Sequence, residues 1–243
     1  MSFEIRTAAK QLLGPRLTTV ARVLSRGGEL PQWGNLRRTE PFSDAYGFDR
    51  GTPIDRFYLE RFLAAERSVI RGAVLEIQVN SYTKQFGHDL TRTDTLDISG
   101  QFSPTYHCDL ADADSIVPPG TYDCFLLPNT LTHIERLDEA LVQALRIVKP
   151  GGVILASAAN LVRFTSGDDD FWRLTAAGWR RVLTRAWPGC AIEVRAHGNC
   201  LAAVAGLYGL ALEELTRGEL EVEDERFPVM TTIKCVKPMH ADG

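Results

Sequence analysis

The sequence predicts an α/β fold built on a doubly wound, mostly parallel sheet. Three observations carry that prediction. Short apolar runs of strand length alternate with amphipathic segments of helix length, the pattern of successive βαβ units. The run Ala73–Ile77 is short and apolar enough to be a central strand covered on both faces. Three successive strand candidates then close on an acid, Glu76, Asp97 and Asp109, which would share one edge of the sheet.

Taken in order, Phe3 to Leu24 places Ile5, Leu12, Leu13, Leu17, Val20 and Val23 at near-helical spacing, as one or two helices broken or kinked at Gly14-Pro15. Arg26 to Gly51 combines Gly, Pro and Arg with Trp33, Phe42, Tyr46 and Phe48. That composition suits an irregular arm over a pocket; a plain surface linker is the alternative, and the aromatics speak against it. The expected division is an N-terminal helical arm or lid over 1–51 and a main domain over 52–243. Thr52-Pro53-Ile54-Asp55 reads as a helix start, with Thr as N-cap and the helix running to about Ile70. Its Asp55, Arg56, Glu60 and Arg61 read as a solvated face.

Strands are expected at Ala73–Ile77, Thr93–Ile98, Tyr106–Leu110, Asp123–Pro128, Val153–Ala159, Ala191–Ala196 and Val229–Val236. Tyr82 to Phe86 allows a short helix. A long amphipathic helix carries Ile134, Leu137, Leu141, Leu145 and Val148 on one stripe and stops at Lys149-Pro150-Gly151-Gly152. Thr175 caps a further helix to about Ala186, and Cys200–Thr216 reads as the last.

At 243 residues, 44% hydrophobic and 24% charged, the chain has the composition of a soluble globular domain, with or without an arm. A net charge of -4 argues against a nucleic-acid partner. The five cysteines are scattered without metal spacing, as buried thiols of a reducing compartment are. With no apolar run near ~20 residues and no signal-peptide core, a cytoplasmic protein without a membrane partner is expected.

A carboxylate inside a buried strand is costly unless satisfied, so Glu76 is either a ligand anchor or half of a structural ion pair. Ligands of open α/β sheets bind at the carboxyl ends of the strands. There, Asp97 is placed to hold ribose hydroxyls, Asp109 to accept from an adenine amino group, and Glu76 to face a cationic amine. Together they suit an adenosine ligand bearing a positive charge and no pyrophosphate, since no GxGxxG loop is present.

From Gly51 to Val236 the chain resembles class I S-adenosylmethionine (SAM)-dependent methyltransferases. VLEI (74–77) sits at that family's first motif, LDI (96–98) at its second-strand end, and CDLADA (108–113) resembles its adenine-contacting motif. The stretch 128–157, PNTLTHIERLDEALVQALRIVKPGGVILAS, is similar to the family from fourth to fifth strand. GFDRGTPIDRFYLERFL, SYTKQFG and DDFWRLT resemble small bacterial methyltransferase-domain proteins. The resemblance implies a Rossmann-like seven-stranded sheet with its last strand antiparallel, SAM as cofactor, and a small-molecule methyl acceptor, O- or N-methylated. It implies cofactor contacts at Glu76, Gln78, Asn80, Asp97, Ile98, Asp109, Leu110 and Asn129.

His133, just past the fourth strand, is the candidate general base; a His capping or packing at a helix start is the alternative. His197 and the acids Asp168-Asp169-Asp170 are weaker candidates, the acids as an oxygen site for Mg²⁺, or simply a solvated loop. Trp172 and Arg173 would shape an acceptor pocket, while His88 and His107 read as structural. Gln78 departs from the family, which has Gly there for close approach of the cofactor. Strand alternation would put its side chain on the face of Glu76. The rival expectation is therefore a methyltransferase-fold protein without methyl transfer, acting as a binding partner or a non-methylating catalyst.

Overall fold

The computed structural model describes residues 15–25, 32–164 and 169–239. The expected helical positions before Pro15, and Asp168, lie outside the described residues. Residues 1–40 and 41–243 form two units. In the first, the described residues hold helix α1 (Pro15–Ser25) and a 3₁₀ turn at Gly34–Leu36.

In the second unit seven strands form one sheet: β1 (Arg71–Ile77), β2 (His88–Asp97), β3 (Tyr106–His107), β4 (Tyr122–Leu127), β5 (Val148–Ala159), β6 (Ala191–His197) and β7 (Met230–Val236). Their order is β3-β2-β1-β4-β5-β7-β6. All neighbours are parallel except β7, which runs antiparallel to both β5 and β6. The order reverses between β1 and β4, and that switch point leaves a crevice at the strands' carboxyl ends.

Both faces of the sheet are buried, and the two-residue period of the central strands shows how. On one side Leu75, Phe125 and Ile154 pack with Leu141 and Ala144 of α4 (Leu137–Ile147) and Trp179 and Leu183 of α5 (Ala176–Ala186). On the other, Val74, Leu126 and Leu155 meet Tyr58, Leu59 and Leu63 of α2 (Ile54–Ala65) and Ala202 of α6 (Cys200–Leu207). The near-continuous apolar runs of β1 and β4 are what a strand buried on both faces requires. Two shorter helices complete the unit, α3 (Ser81–Phe86) and α7 (Arg217–Glu221). Among the described residues no helix is long and apolar enough to cross a membrane.

Several boundaries differ from expectation. Thr52 does not cap α2: its N–H and hydroxyl both donate to Glu213, and Pro53 takes the N-cap position. The segment expected as one helix over Cys200–Thr216 is broken after α6, because Gly209 turns left-handed (φ 67°) and a 3₁₀ turn at Leu212–Glu214 follows. The third strand is two residues long, and Asp109 instead caps a 3₁₀ helix at Leu110–Ser115. The fifth begins earlier than expected, at Val148, and bends at Gly151, whose φ of 75° only glycine adopts without strain.

Phe125 lies at the centre of β4, fully buried and paired on both sides. Phe125→Ala should cost about 3–5 kcal/mol of unfolding free energy in urea titrations. A loss below about 1 kcal/mol would contradict a central strand packed on both faces.

Candidate functional site

The crevice at the carboxyl ends of β1, β2 and β4 is a cleft of about 880 Å³. Its first wall is the turn out of β1. Glu76 is 1% exposed, and its two oxygens face the start of α3. Oε1 accepts from the Tyr82 N–H at 3.1 Å; Oε2 accepts from the Thr83 N–H at 2.8 Å and the Thr83 hydroxyl at 2.7 Å. Burial pushes the Glu76 pKa above the ordinary glutamate value, and these hydrogen bonds pull it back only in part. The acid is thus first a structural anchor, satisfying donors that a helix start leaves open, although it also lines the cleft.

β1 ends at Ile77, so the alternation argument for Gln78 does not hold: the strand has already stopped. Gln78 instead turns left-handed, at φ 69°, and its N–H donates to Leu96 O on β2 at 2.9 Å. This is the backbone region that glycine enters freely and that costs other residues roughly 1–2 kcal/mol. The glycine-type path of the loop is kept without the glycine. Gln78 and Val79 are exposed and line the cleft, whereas Asn80 precedes α3 and is not among the lining residues.

The second wall comes from the ends of β2 and β3. Asp97 is 7% exposed; Oδ1 accepts from the Ser99 N–H at 3.2 Å, while Oδ2 is buried with no partner among the described residues. Ile98, next to it, is 68% exposed and lines the cleft, as does buried Leu110. Asp109 is more fully engaged. Oδ1 accepts from Ala111 N–H at 2.9 Å, and Oδ2 pairs with Arg136 at 3.0 Å. Cys108 also lines this wall, and burial raises its thiol pKa, with Asp109 adding to the effect, which keeps it protonated.

The third wall is the end of β4. Asn129, also left-handed (φ 49°), is locked from both sides. Its N–H donates to Ser157 Oγ at 2.8 Å, Ser157 Oγ donates to its Oδ1 at 3.0 Å, and its Nδ2 donates to Asp55 Oδ2 at 2.8 Å. His133 closes a 3₁₀ turn at Leu131–His133 and lines the cleft beside Asp169 and Phe171. Its Nδ1 lies 2.7 Å from Asp169 O. A carbonyl only accepts, so Nδ1 carries the proton, and the ring's other nitrogen, Nε2, is left for a partner in the cleft.

Of the sequence candidates, Glu76, Gln78, Asp97, Ile98, Asp109, Leu110, Asn129 and His133 come together in this one cleft. Asp169, of the expected acidic run, joins them, and the other described candidates go elsewhere. His197 sits at the far edge strand, 2.8 Å from Thr232 Oγ1 and stacked on Tyr58. Trp172 donates to Ile134 O at 2.7 Å, and Arg173 pairs with Asp170 and reaches Ala159 O. His107 Nε2 donates to Ile98 O at 3.0 Å. Asp170 is therefore committed to a cation, and among the described residues no group of three His, Cys, Asp or Glu is disposed to hold a metal. Sequence reasoning missed Arg56, Tyr82 and Phe171 as lining residues. By spacing the acids and bases of α2 form an exposed stripe, and the packing of α2, tied to the end of β4 through Asp55 and Asn129, brings Arg56 into the cleft.

Residues 70–156 match a family model described as a methyltransferase domain. No curated protein sequence matches the chain. Among solved structures, the fold is similar to the 4+2-cyclase SpnF, with a TM-score of 0.51 and 16% identity over 88% of this chain and 90% of that one. A Thermotoga maritima SAM-dependent methyltransferase, described as a possible histamine N-methyltransferase, has a TM-score of 0.51 and 15% identity over 76% and 91%. A Mesorhizobium loti SAM-dependent methyltransferase has a TM-score of 0.50 and 14% identity over 76% and 100%. The chain thus resembles class I SAM-dependent methyltransferases in the sequence of its first five strands and in the whole seven-stranded fold.

Gln78→Gly should raise the unfolding free energy by up to about 1 kcal/mol by removing left-handed strain, less whatever entropy the unfolded chain gains. Lower stability in urea titrations would mean that the Gln78 side chain makes contacts the fold needs. Glu76 predicts a pH effect. Because its folded pKa is raised above the ordinary value of 4.5, the stability it contributes is fully present below that value and is lost as pH rises through the raised pKa. The stability of Glu76→Gln relative to wild type should therefore improve as pH rises above 4.5 and through the raised pKa. A pH-independent difference would refute the raised value.

Proposed function

We propose that this protein is a cytoplasmic SAM-dependent methyltransferase that methylates an oxygen or nitrogen of a small molecule. The observation that carries the reading is Asp97 Oδ2, buried in the cleft wall without a partner among the described residues. Such an atom is costly unless a ligand hydrogen-bonds to it. The end of the second strand is where an acid meets ribose hydroxyls in folds of this kind.

The other lining residues fit the same ligand. Ile98 and Leu110 offer an apolar slot for a base, and Asp109 retains acceptor capacity beyond Ala111 and Arg136 for an exocyclic amine. Glu76 Oε1 accepts one hydrogen bond from the protein and has room for another from an ammonium. Gln78 and Asn129 border the space between, the first through its strained turn and the second through a side chain locked by Ser157 and Asp55. When bound, SAM supplies a methyl group already activated on a sulfonium. The chain's own work is then to align the acceptor, exclude water and take up the acceptor's proton. His133 Nε2 is the atom for that last step, because Asp169 O holds the proton on Nδ1.

A second reading is a non-methylating catalyst on the same fold. Gln78 in place of the family glycine favours it, and the structural similarity to a cyclase gives it a precedent.

Asp97→Ala should weaken S-adenosylhomocysteine binding by about 1–3 kcal/mol, measured by calorimetry. An unchanged dissociation constant would take Asp97 out of the ribose role. His133→Gln should lower turnover about 10²–10⁴-fold at saturating acceptor while cofactor affinity stays the same. A loss of only a few-fold would return His133 to a structural part.

A further inference from the structure

His133 sits on a turn whose shape its own neighbours fix only in part. Leu131–His133 is a single 3₁₀ turn without a side-chain cap, and the backbone is extended at Ile134 before α4 begins at Leu137. From within, the His133 N–H donates to Thr130 O at 2.9 Å. The rest of the hold comes from Asp169–Trp172, which follows β5 in the chain. The N–H groups of Phe171 and Trp172 both donate to Thr132 O, at 2.9 and 3.2 Å. The Trp172 indole N–H donates to Ile134 O at 2.7 Å, and His133 Nδ1 donates to Asp169 O at 2.7 Å. One short segment thus grips two carbonyls of the turn and the imidazole itself. Trp172 is its anchored part: the partly buried ring packs against the core, as does Ile134. Asp169 and Phe171 are exposed and line the cleft.

We propose that Trp172 is a positioning residue for His133, fixing through Ile134 O which ring nitrogen carries the proton. The assignment rests on the reading of His133 as the base. In an imidazole the hydrogen bond made by one nitrogen sets the state of the other, so the contact between Nδ1 and Asp169 O is what leaves Nε2 able to accept. The opposite tautomer has a competitor's claim here. Glu135 and Asp169 line the same cleft, and their carboxylates would accept from a proton carried on Nε2. Something must therefore hold the ring to Asp169 O. The two backbone donors share one acceptor, Thr132 O, and so fix a point but not an angle. The indole bond at Ile134 O supplies a second point, and His133 lies between the two. Without the indole N–H the turn can swing about Thr132 O, the Nδ1 contact lengthens, and the proton passes to Nε2. That is the nitrogen required to take up the acceptor's proton.

The test is nitrogen NMR of the histidine rings at alkaline pH, where imidazoles are neutral, in wild type, Trp172→Phe and Trp187→Phe. His133→Gln identifies the His133 signals among the five histidines. Wild type should show Nδ1 protonated and Nε2 bare. Trp172→Phe should lose that pattern, its two shifts drawing together as both tautomers populate. Trp187 is the control: its indole N–H donates to Leu141 O at 2.7 Å in the core, a like bond away from the turn. Trp187→Phe should lower stability and leave the His133 pattern as in wild type. Calorimetry with S-adenosylhomocysteine should give Trp172→Phe an affinity within about twofold of wild type, as for independent sites. If Trp172→Phe lacks the amide spectrum of a folded chain, Trp172→Leu, which keeps apolar packing, takes its place. A wild-type ring protonated on Nε2, an unchanged pattern in Trp172→Phe, or equal loss in both tryptophan variants overturns the assignment. So does a matching fall in S-adenosylhomocysteine affinity, which would make Trp172 part of the general build of the cleft. If wild type binds no S-adenosylhomocysteine, the cofactor reading fails, and the tautomer pattern still decides whether Trp172 holds His133.

Discussion

A carboxylate buried at the end of the central strand must be satisfied, and the way Glu76 is satisfied sets the shape of the cleft. Its oxygens accept two backbone N–H groups and one hydroxyl from the first turn of α3. Those N–H groups have no partner within the helix, and the helix dipole favours a negative charge at this end. α3 is only six residues long, too short to persist without such an anchor. With α3 pinned to the end of β1, the chain between Ile77 and Ser81 has to reverse within three residues. Gln78 achieves this by turning left-handed and donating its N–H to Leu96 O on β2. The buried acid, the start of α3 and the strained turn at Gln78 thus meet at one end of the cleft.

The acids at the strand ends are compensated to very different degrees, and that difference gives the cleft its direction. Glu76 is met by α3, and Asp109 by Arg136 and Ala111 N–H. The Asp109 side of the cleft is braced further by Asp112, whose pKa the same Arg136 hydrogen bond lowers. Asp97 alone among these three keeps a buried oxygen unpaired among the described residues. An acceptor left short at the end of β2 among the described residues is a demand for a hydroxyl, and the acidic lining of the cleft favours a ligand with positive charge.

The fold was legible because both signals that specify it are local. The apolar runs of β1 and β4 and the stripe of α4 mark buried strands and a covering helix without reference to the rest of the chain. Acids that end strands are equally local, so Glu76, Asp97 and Asp109 could be placed at one edge before any coordinates. What could not be read was backbone conformation off the regular elements. The left-handed turns at Gln78 and Asn129 follow the ends of β1 and β4, and only glycine advertises such a turn in advance; at Gly209 the signal was present, but the apolar run on either side of it outweighed it. Arg56 stayed hidden for a different reason. On α2 it has the spacing of a solvated charge, and it becomes a cleft residue through the packing of that helix, which the hydrogen bond between Asp55 and Asn129, 74 positions apart in sequence, ties to the end of β4. Asn80 shows the converse: motif position suggested a contact, and the turn carries its side chain out of the lining.

Direct titration of the unmodified protein tests whether the cleft holds an adenosyl sulfonium. Calorimetry with SAM, S-adenosylhomocysteine and, as a control, NAD should give one site per chain for the two adenosyl ligands and no heat of binding for the dinucleotide, whose pyrophosphate finds no glycine loop. Saturable binding of NAD, or no binding of either adenosyl ligand by calorimetry and by thermal shift, would contradict the account.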